Sequence, residues 1–338
     1  MTSSLRVAVA GAVLASVAPG CHREPPVSLG GSGSTFQAEF QRLAIEAFTR
    51  ANPGATITYA AGGSTRGQQD LASQAVDFAG SDSVIHPDDL ARCKGGDVLY
   101  FPVLLGAIAV AYQQPGLNHL QLSASTIAAI FSRRATRWND PAIGAENPGV
   151  ALPDEPVIIV HRAEPSGTTE NFTRYLSEAA GAGWSLGSGA TIAWPEGSEA
   201  ASGNEGVAQR IKRTRGAIGY VDLGASRAAG LQHALVRNRA GLYIEPSVVS
   251  TCAAGDGIHV NDDLTFSALD ARSDEAYPLS FQSWVIVYAR QRQPAALRSW
   301  LRFLLTDGQK LVDVHDFAPI PSSLQGRALA NLQQLRGP

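Results

Sequence analysis

Cysteine and histidine are scarce. The chain has three cysteines and seven histidines in 338 residues, and no Cys/His group falls at metal-ligand spacing. A metal centre is therefore not expected, and no histidine is assigned a role. Excess positive charge is missing too. Lys and Arg total 27 against 30 Asp and Glu, a formal net charge of −3, which argues against a nucleic-acid surface. Arg greatly outnumbers Lys, a mark of genome composition more than of function. Only 17% of residues are charged and 44% are hydrophobic, which argues against disorder and for a sizeable core. The length allows two domains or one large one. After the N-terminus, no segment is long and apolar enough to span a bilayer.

At the N-terminus, Arg6 precedes an apolar run, Val7 to Ala18. The run is short for a spanning helix and suits the apolar region of a signal peptide. Ala18-Pro19-Gly20-Cys21 then resembles a lipoprotein cleavage site, although a single basic residue and Pro19 depart from the usual pattern. Export is expected, with residues 1–21 as the signal, Cys21 as the lipidated first residue and 22–26 as a tether. Ordinary cleavage and an uncleaved anchor are the alternatives. One lipidated Cys would hold the protein to a membrane surface without spanning it. With Cys21 so used, Cys93 and Cys252 remain, either as a disulfide or as two buried thiols.

What is present is a turn chemistry repeated three times. Val157-Ile158-Ile159-Val160 reads as a buried strand, Arg162-Ala163-Glu164-Pro165-Ser166-Gly167-Thr168-Thr169 as a small-residue turn, and Glu170 to Leu176 as a helix. The first N–H groups of a helix lack intrahelical partners and sit at the positive end of its dipole, which makes an anion site. Ser166 and Thr168 add hydroxyls, and Arg162 adds a fork of donors suited to a tetrahedral oxyanion. Gly31-Ser32-Gly33-Ser34-Thr35-Phe36 and Gly62-Gly63-Ser64-Thr65-Arg66-Gly67 open two further helical segments. Any one of these turns alone reads as an ordinary capped helix start.

Strands at 27–29, 56–60 and 76–81 alternate with these helices, a β-α-β-α-β order that predicts a parallel sheet. The candidate residues fall at the carboxyl ends of its strands, where such sheets bind ligands. A long apolar strand is expected over 103–112, a helix over 125–131, a strand over 216–221, a strand over 280–288, and helices over 294–305, 308–314 and 322–335. Asp82 lies just past the third strand, where it reads either as a ligand residue or as the N-cap of a helix starting near Pro87.

These motifs, with Val76-Asp77-Phe78-Ala79-Gly80-Ser81-Asp82, Gly216-Ala217-Ile218-Gly219-Tyr220-Val221 and Ala318-Pro319-Ile320-Pro321, give the chain a resemblance. It resembles the phosphate-binding proteins of bacterial high-affinity phosphate ABC transporters, the PstS family, over roughly Val27 to Leu335. The resemblance implies an α/β, two-lobed periplasmic-binding-protein fold of type II-like form, with the ligand cleft between lobes. Lobe one would comprise 27–85 and about 243–338, and lobe two about 86–242. It implies a phosphate site of Thr35, Phe36, Ser64, Asp82, Arg162, Ser166, Gly167 and Thr168. Phe36 and Gly167 would act through backbone N–H groups, and Arg162 would form a charge-assisted pair that also touches Asp82. It implies capture of inorganic phosphate for delivery to an ABC permease, in the periplasm or at the cell surface, with no cofactor and no catalysis.

An ionised Asp only accepts hydrogen bonds, so Asp82 would welcome a P–OH and repel fully ionised sulfate. Arg66, two residues after Ser64, is a departure, read as an extra contact, a lid residue or a solvent-facing side chain. A phosphate sensor or scavenger without a permease, and a binder of another oxyanion, are the competing functions. Gly183-Trp184-Ser185-Leu186-Gly187 fits the G-x-S-x-G pattern of a hydrolase, but it reads as lying in a Gly/Ser-rich span with no strand before it or helix after it. A phosphatase would need a nucleophile with a base, or a metal site, and no such set is evident.

Overall fold

The structure is a computed structural model that describes residues 28–312 and 316–338. The signal segment, Cys21 and the tether lie outside the described residues.

The chain begins as the pattern predicts. Strand β1 (Ser28–Gly33), helix α1 (Ala38–Ala51), β2 (Thr56–Ala61), α2 (Ser64–Ala72) and β3 (Phe78–Ser81) follow in order, and β2, β1 and β3 pair in parallel. α1 turns Phe40, Ala44 and Phe48 into the core, the one-sided spacing of an amphipathic helix. The short helix α3 (Pro87–Leu90) is capped by His86, not by Asp82.

Strand β4 (Val98–Gln113) is the spine of the molecule. It is longer than the predicted 103–112 at both ends. Residues 98–107 pair with β12 (Ser280–Tyr288), and 108–113 pair with β8 (Ala217–Asp222), both antiparallel. One strand therefore belongs to two halves of a nine-stranded sheet. Phe101, Leu104, Leu105, Ile108, Val110 and Tyr112 along it are fully buried, each side chain contributing roughly 1.5–3 kcal/mol by burial.

The second half begins with β5 (Gln121–Leu122), α4 (Ala124–Phe131) and α5 (Pro141–Glu146). β6 (Ile158–Arg162), α6 (Gly167–Ala179), β7 (Glu199–Ala201), α7 (Gly203–Arg213), β8 and α8 (Leu223–Ala228) then repeat the strand-helix alternation. β6 lies parallel between β8 and β7. β9 (Gln232–His233) adds to β4, while β10 (Leu235–Arg237) joins β5 and β11 (Tyr243–Ile244) in a small separate sheet. α9 (Val248–Gly255) leads back to the first half, where β12 inserts antiparallel between β3 and β4. α10 (Pro294–Leu305) and α11 (Ser322–Asn331) cover it. Between them, Asp307–Leu311 is a 3-10 turn where a regular helix over 308–314 is predicted. Ala318 bridges Leu105, so the Ala-Pro-Ile-Pro turn is tied to the spine.

No disulfide joins Cys93 to Cys252; both are half-buried. Among the described residues no helix is long and apolar enough to cross a membrane, and no His/Cys/Asp/Glu group could hold a metal ion.

Candidate functional site

The two halves meet where β1, β3 and β6 end. At this junction Asp82 is 2% exposed. Its Oδ2 accepts from Ser34 Oγ at 2.7 Å and Ser64 Oγ at 3.3 Å, and its Oδ1 accepts from Ser283 Oγ. Ser64 Oγ also accepts from Asp82 N at 3.0 Å. Burial pushes the Asp82 carboxyl up to about 6, while the Ser283, Ser34 and Ser64 hydroxyls and the Arg162 charge pull it down.

Ser283 arrives from β12 at a register shift between Ser283 and Trp284. Such irregularities re-aim side chains beside functional sites. Gln37 Nε2 holds it there, donating to Ser283 Oγ at 2.7 Å and Trp284 O at 2.8 Å.

Arg162 closes β6 and is 4% exposed. Its ion-pair partner is Glu164, which takes both Nε and Nη2. Glu164 Oε1 also accepts from Gly203 N at 3.0 Å. Nη1 reaches Asn204 Oδ1 at 3.1 Å and Thr168 Oγ1 at 3.4 Å. The expected pair touching Asp82 is thus replaced: Glu164, two residues on at the same strand end, takes the guanidinium, and Asp82 feels Arg162 only as a nearby charge.

Ser166 is the N-cap of α6 and accepts from Thr168 N and Thr169 N at 3.1 and 3.3 Å. Phe36 N donates to Ser34 Oγ at 3.1 Å. The Phe36 ring packs on Phe281 and Phe317, with centroids 4.6 and 5.1 Å away, and leaves room for nothing larger than glycine at Gly106.

The halves are closed on each other. A methyl group on Gly167 would lie 2.4 Å from Ser64 Oγ and 2.8 Å from Asp82 Cβ. At Gly63, whose φ is +94°, it would lie 2.9 Å from Pro165 O. Asn171 Nδ2 donates to Asp82 O at 2.7 Å, and Asn204 Nδ2 reaches Thr35 Oγ1 at 3.5 Å. Next to the junction a cleft of about 930 Å³ is lined by Thr35, Phe36, Asn204 and Asp222, among others. Asp222 caps α8 by accepting from Ala225 N, and burial pushes it up to about 6.

The structure therefore brings Thr35, Phe36, Ser64, Asp82, Arg162, Ser166, Gly167 and Thr168 to one junction. It adds Ser34, Ser283, Asn204, Glu164 and Asp222, which sequence reasoning did not single out. Ser34 was within reach, because it belongs to the first Gly/Ser turn. Asn204 had a weaker signal, as the second residue of a helix after a short strand. Arg66 stays out: its side chain is two-thirds exposed and pairs with Asp70, one turn on. Ser185, in the G-x-S-x-G stretch, follows a 3-10 turn and no strand, so it is not at a nucleophile elbow.

A profile of the PBP superfamily domain matches residues 22–308. The phosphate-binding protein PstS 3 of Mycobacterium leprae is 35% identical over 316 residues, covering 89% of this chain and 85% of that protein. PstS3 of Mycobacterium bovis BCG is 33% identical over 315 residues, covering 89% and 84%. Among solved structures, a high-affinity periplasmic phosphate-binding protein (PfluDING) bound with phosphate superposes with a TM-score of 0.74 at 20% identity, covering 90% of this chain and 94% of the other. That likeness and the superfamily match identify the two-lobed periplasmic-binding fold. The chain belongs to the PBP superfamily and, within it, to the PstS family of phosphate-binding proteins.

Proposed function

We propose that this protein captures inorganic phosphate between its two lobes and delivers it to an ABC permease, without catalysis. Asp82 is the observation that carries this reading. A carboxylate offers about four acceptor positions. Three hydroxyls occupy three of them, which leaves one on Oδ1 for a P–OH donor. Phosphate carries such a proton near neutral pH and sulfate does not, so the same carboxylate that accepts one repels the other. Sites of this kind discriminate by roughly 10⁴-fold.

Around that acceptor, Thr35, Ser166 and Thr168 supply hydroxyls, Gly167 a backbone N–H group and Arg162 the opposite charge, while the Ser64 hydroxyl and the Phe36 N–H, which donate to Asp82 Oδ2 and Ser34 Oγ, reach the anion by exchanging those bonds for it. Closure completes the shell, because the donors come from both sides of the junction. In this reading the lobes divide where β4 changes partner, near Ala107 and Ile108, rather than at 85/86, the boundary that the resemblance implies. Ser166 Oγ accepts from the first N–H groups of α6 and keeps only its proton for the ligand, and the nearby His161 stacks on Trp194 with Nδ1 on Arg162 O. Neither makes a nucleophile-base pair, which supports binding over hydrolysis. An exported protein held at a membrane by a lipidated Cys21 fits this role.

Calorimetric titration of phosphate-stripped protein tests the reading, with phosphate, sulfate and arsenate as ligands. Tight phosphate and arsenate binding with no sulfate binding is expected. Sulfate binding as tight as phosphate, or no binding of any of the three, overturns it.

A further inference from the structure

We propose that Tyr220 is a positioning residue of the anion site, fixing the Arg162 guanidinium relative to the donors that open α6. The proposal rests on the phosphate reading above. Gly216 to Val221 supplies none of the groups assigned to the ligand, yet its residues are tightly constrained. β8 runs parallel to β6, with Ala217 opposite Ile158 and Gly219 opposite Val160. A methyl group on Gly219 would lie 2.7 Å from Val160 O and 2.8 Å from Ile211 Cδ1, so the close approach of the two strands needs a glycine there. Tyr220 follows, and alternation along the strand turns its side chain to the other face. There it is fully buried. The Phe172 ring, from α6, stacks on it at 4.4 Å, and Trp194 at 5.6 Å.

The stacked ring holds the hydroxyl in one place. Its oxygen accepts from Arg162 N at 3.3 Å and lies 2.7 Å from Thr169 Oγ1. The β6–β8 ladder ends at Val160. The N–H of Arg162 faces the same side as that of Val160, and Tyr220 takes it in place of a strand carbonyl. Thr169 lies in the first turn of α6, where its own N donates to Ser166 Oγ at 3.3 Å. Between Arg162 and Ser166 the chain turns through Ala163, Glu164 and Pro165, outside any helix or strand. One hydroxyl therefore spans this turn and fastens both of its ends to a single buried strand. Burial pushes the phenol up to about 12, so it keeps its proton at neutral pH. Donors locked in this way are ordered before the ligand arrives, which lowers the cost of binding.

The test compares wild type with Tyr220→Phe, Thr169→Val and Tyr112→Phe. Phosphate and sulfate binding are read by titration calorimetry, and stability as the melting temperature of phosphate-free protein. Tyr220→Phe keeps the stacked ring and deletes the oxygen. Tyr112→Phe is the control, because it deletes a buried hydroxyl of lobe two whose partners, Leu117 O and Leu120 N, are outside the site. Tyr220→Phe should weaken phosphate binding about ten-fold, with sulfate still excluded. Tyr112→Phe should lower the melting temperature and leave affinity unchanged. The Arg162 Nε signal of isotope-labelled, phosphate-loaded protein, assigned by its loss in Arg162→Lys, should shift in Tyr220→Phe and stay in place in Tyr112→Phe. Wild-type affinity in Tyr220→Phe, or an equal loss in Tyr112→Phe, makes the hydroxyl a structural bond only and overturns the proposal. Should Tyr220→Phe not fold, Thr169→Val decides: weaker phosphate binding supports the proposal and wild-type affinity overturns it. Wild type that binds no phosphate refutes the phosphate reading and the proposal with it. Wild type that binds phosphate no more tightly than Tyr220→Phe refutes the role of Tyr220 alone.

Discussion

Ser283 donates its hydroxyl to Asp82 Oδ1 from a strand 201 residues further along the chain, while its oxygen accepts from Gln37 Nε2 at 2.7 Å. The acceptor that reads the ligand's proton is thus oriented by a residue that need not touch the ligand. Ser283→Ala removes one of three donors to a buried carboxylate. Leaving such a group short of a partner costs about 1–3 kcal/mol, so phosphate affinity at pH 7 should fall roughly ten-fold or more. The pH below which binding fails should rise, because the ionised form of Asp82 loses support. Titration calorimetry from pH 5 to 8 checks both. An unchanged affinity and pH profile would mean that the Ser283 bond does not hold the acceptor.

Asp82 also sets a pH dependence of stability in phosphate-free protein. Burial raises its folded pKa to about 6, above the ordinary value near 3.9. A raised carboxyl stabilises fully below the unfolded value, and that contribution is lost as pH rises through about 6. Between pH 5 and 8 the loss is on the order of 1 kcal/mol. His161 and His233, which burial holds below the usual histidine range, slope the opposite way over part of this window. The informative quantity is therefore the difference between wild type and Asp82→Asn. The variant should gain on wild type as pH rises from 5 to 8, read as melting temperature in phosphate-free buffer. A constant difference would contradict the raised pKa. Saturating phosphate should shift the difference back towards wild type at pH 8, because its P–OH favours the ionised carboxylate.

Much of this site could be read before any coordinates, and the reason is local. Gly31 to Phe36, Gly62 to Gly67 and Arg162 to Thr169 each carry a turn and its helix start within eight residues, and Asp82 sits at a strand end that its apolar neighbours announce. Ser283 could not be found this way. It lies inside a strand buried throughout, and only a register shift and pairing with β3 bring its hydroxyl to Asp82. The Arg162 partner was misjudged for a similar reason. Whether a guanidinium turns to Asp82 or to Glu164 depends on side-chain direction at a junction of two lobes, and spacing along the chain carries no record of that. β4 shows the same limit at the level of the fold: its apolar run announces a buried strand, but not that its two ends belong to different sheet halves.

Closure itself can be blocked at one atom. Gly167→Ala places a methyl group 2.8 Å from Asp82 Cβ and 2.4 Å from Ser64 Oγ. Ser64 is tied to Asp82 through two hydrogen bonds, so neither neighbour gives way easily. Overpacking of this kind costs roughly 1–3 kcal/mol, and here the cost falls only on the closed form. Phosphate affinity should drop ten- to a hundred-fold, with the melting temperature of phosphate-free protein unchanged or higher. Small-angle scattering at saturating phosphate should give a larger radius than for wild type. Equal radii with equal affinities would show that the contact relaxes without opening the cleft.

Asn204 offers a test that separates charge recognition from proton recognition. It is 3% exposed, takes Arg162 Nη1 at 3.1 Å on its oxygen, and faces Thr35 Oγ1 at 3.5 Å with its amide nitrogen. It therefore orients the Arg162 guanidinium and bridges the lobes. Asn204→Ala removes about one net hydrogen bond to a charged group, a loss of roughly 1.5–3 kcal/mol, so phosphate affinity should fall ten-fold or more. Asn204→Asp keeps the shape but adds a carboxylate to a site that already holds Asp82, Glu164 and Asp222, and repulsion of the anion should weaken binding further. Both variants should leave the preference for phosphate over sulfate intact, since neither alters the acceptor on Asp82. Asp82→Asn should do the opposite, losing preference more than it loses affinity for oxyanions in general. Competition titrations across the three variants measure affinity and preference together. A collapse of preference in Asn204→Ala would place the discrimination in Arg162 orientation and remove Asp82 from its assigned role.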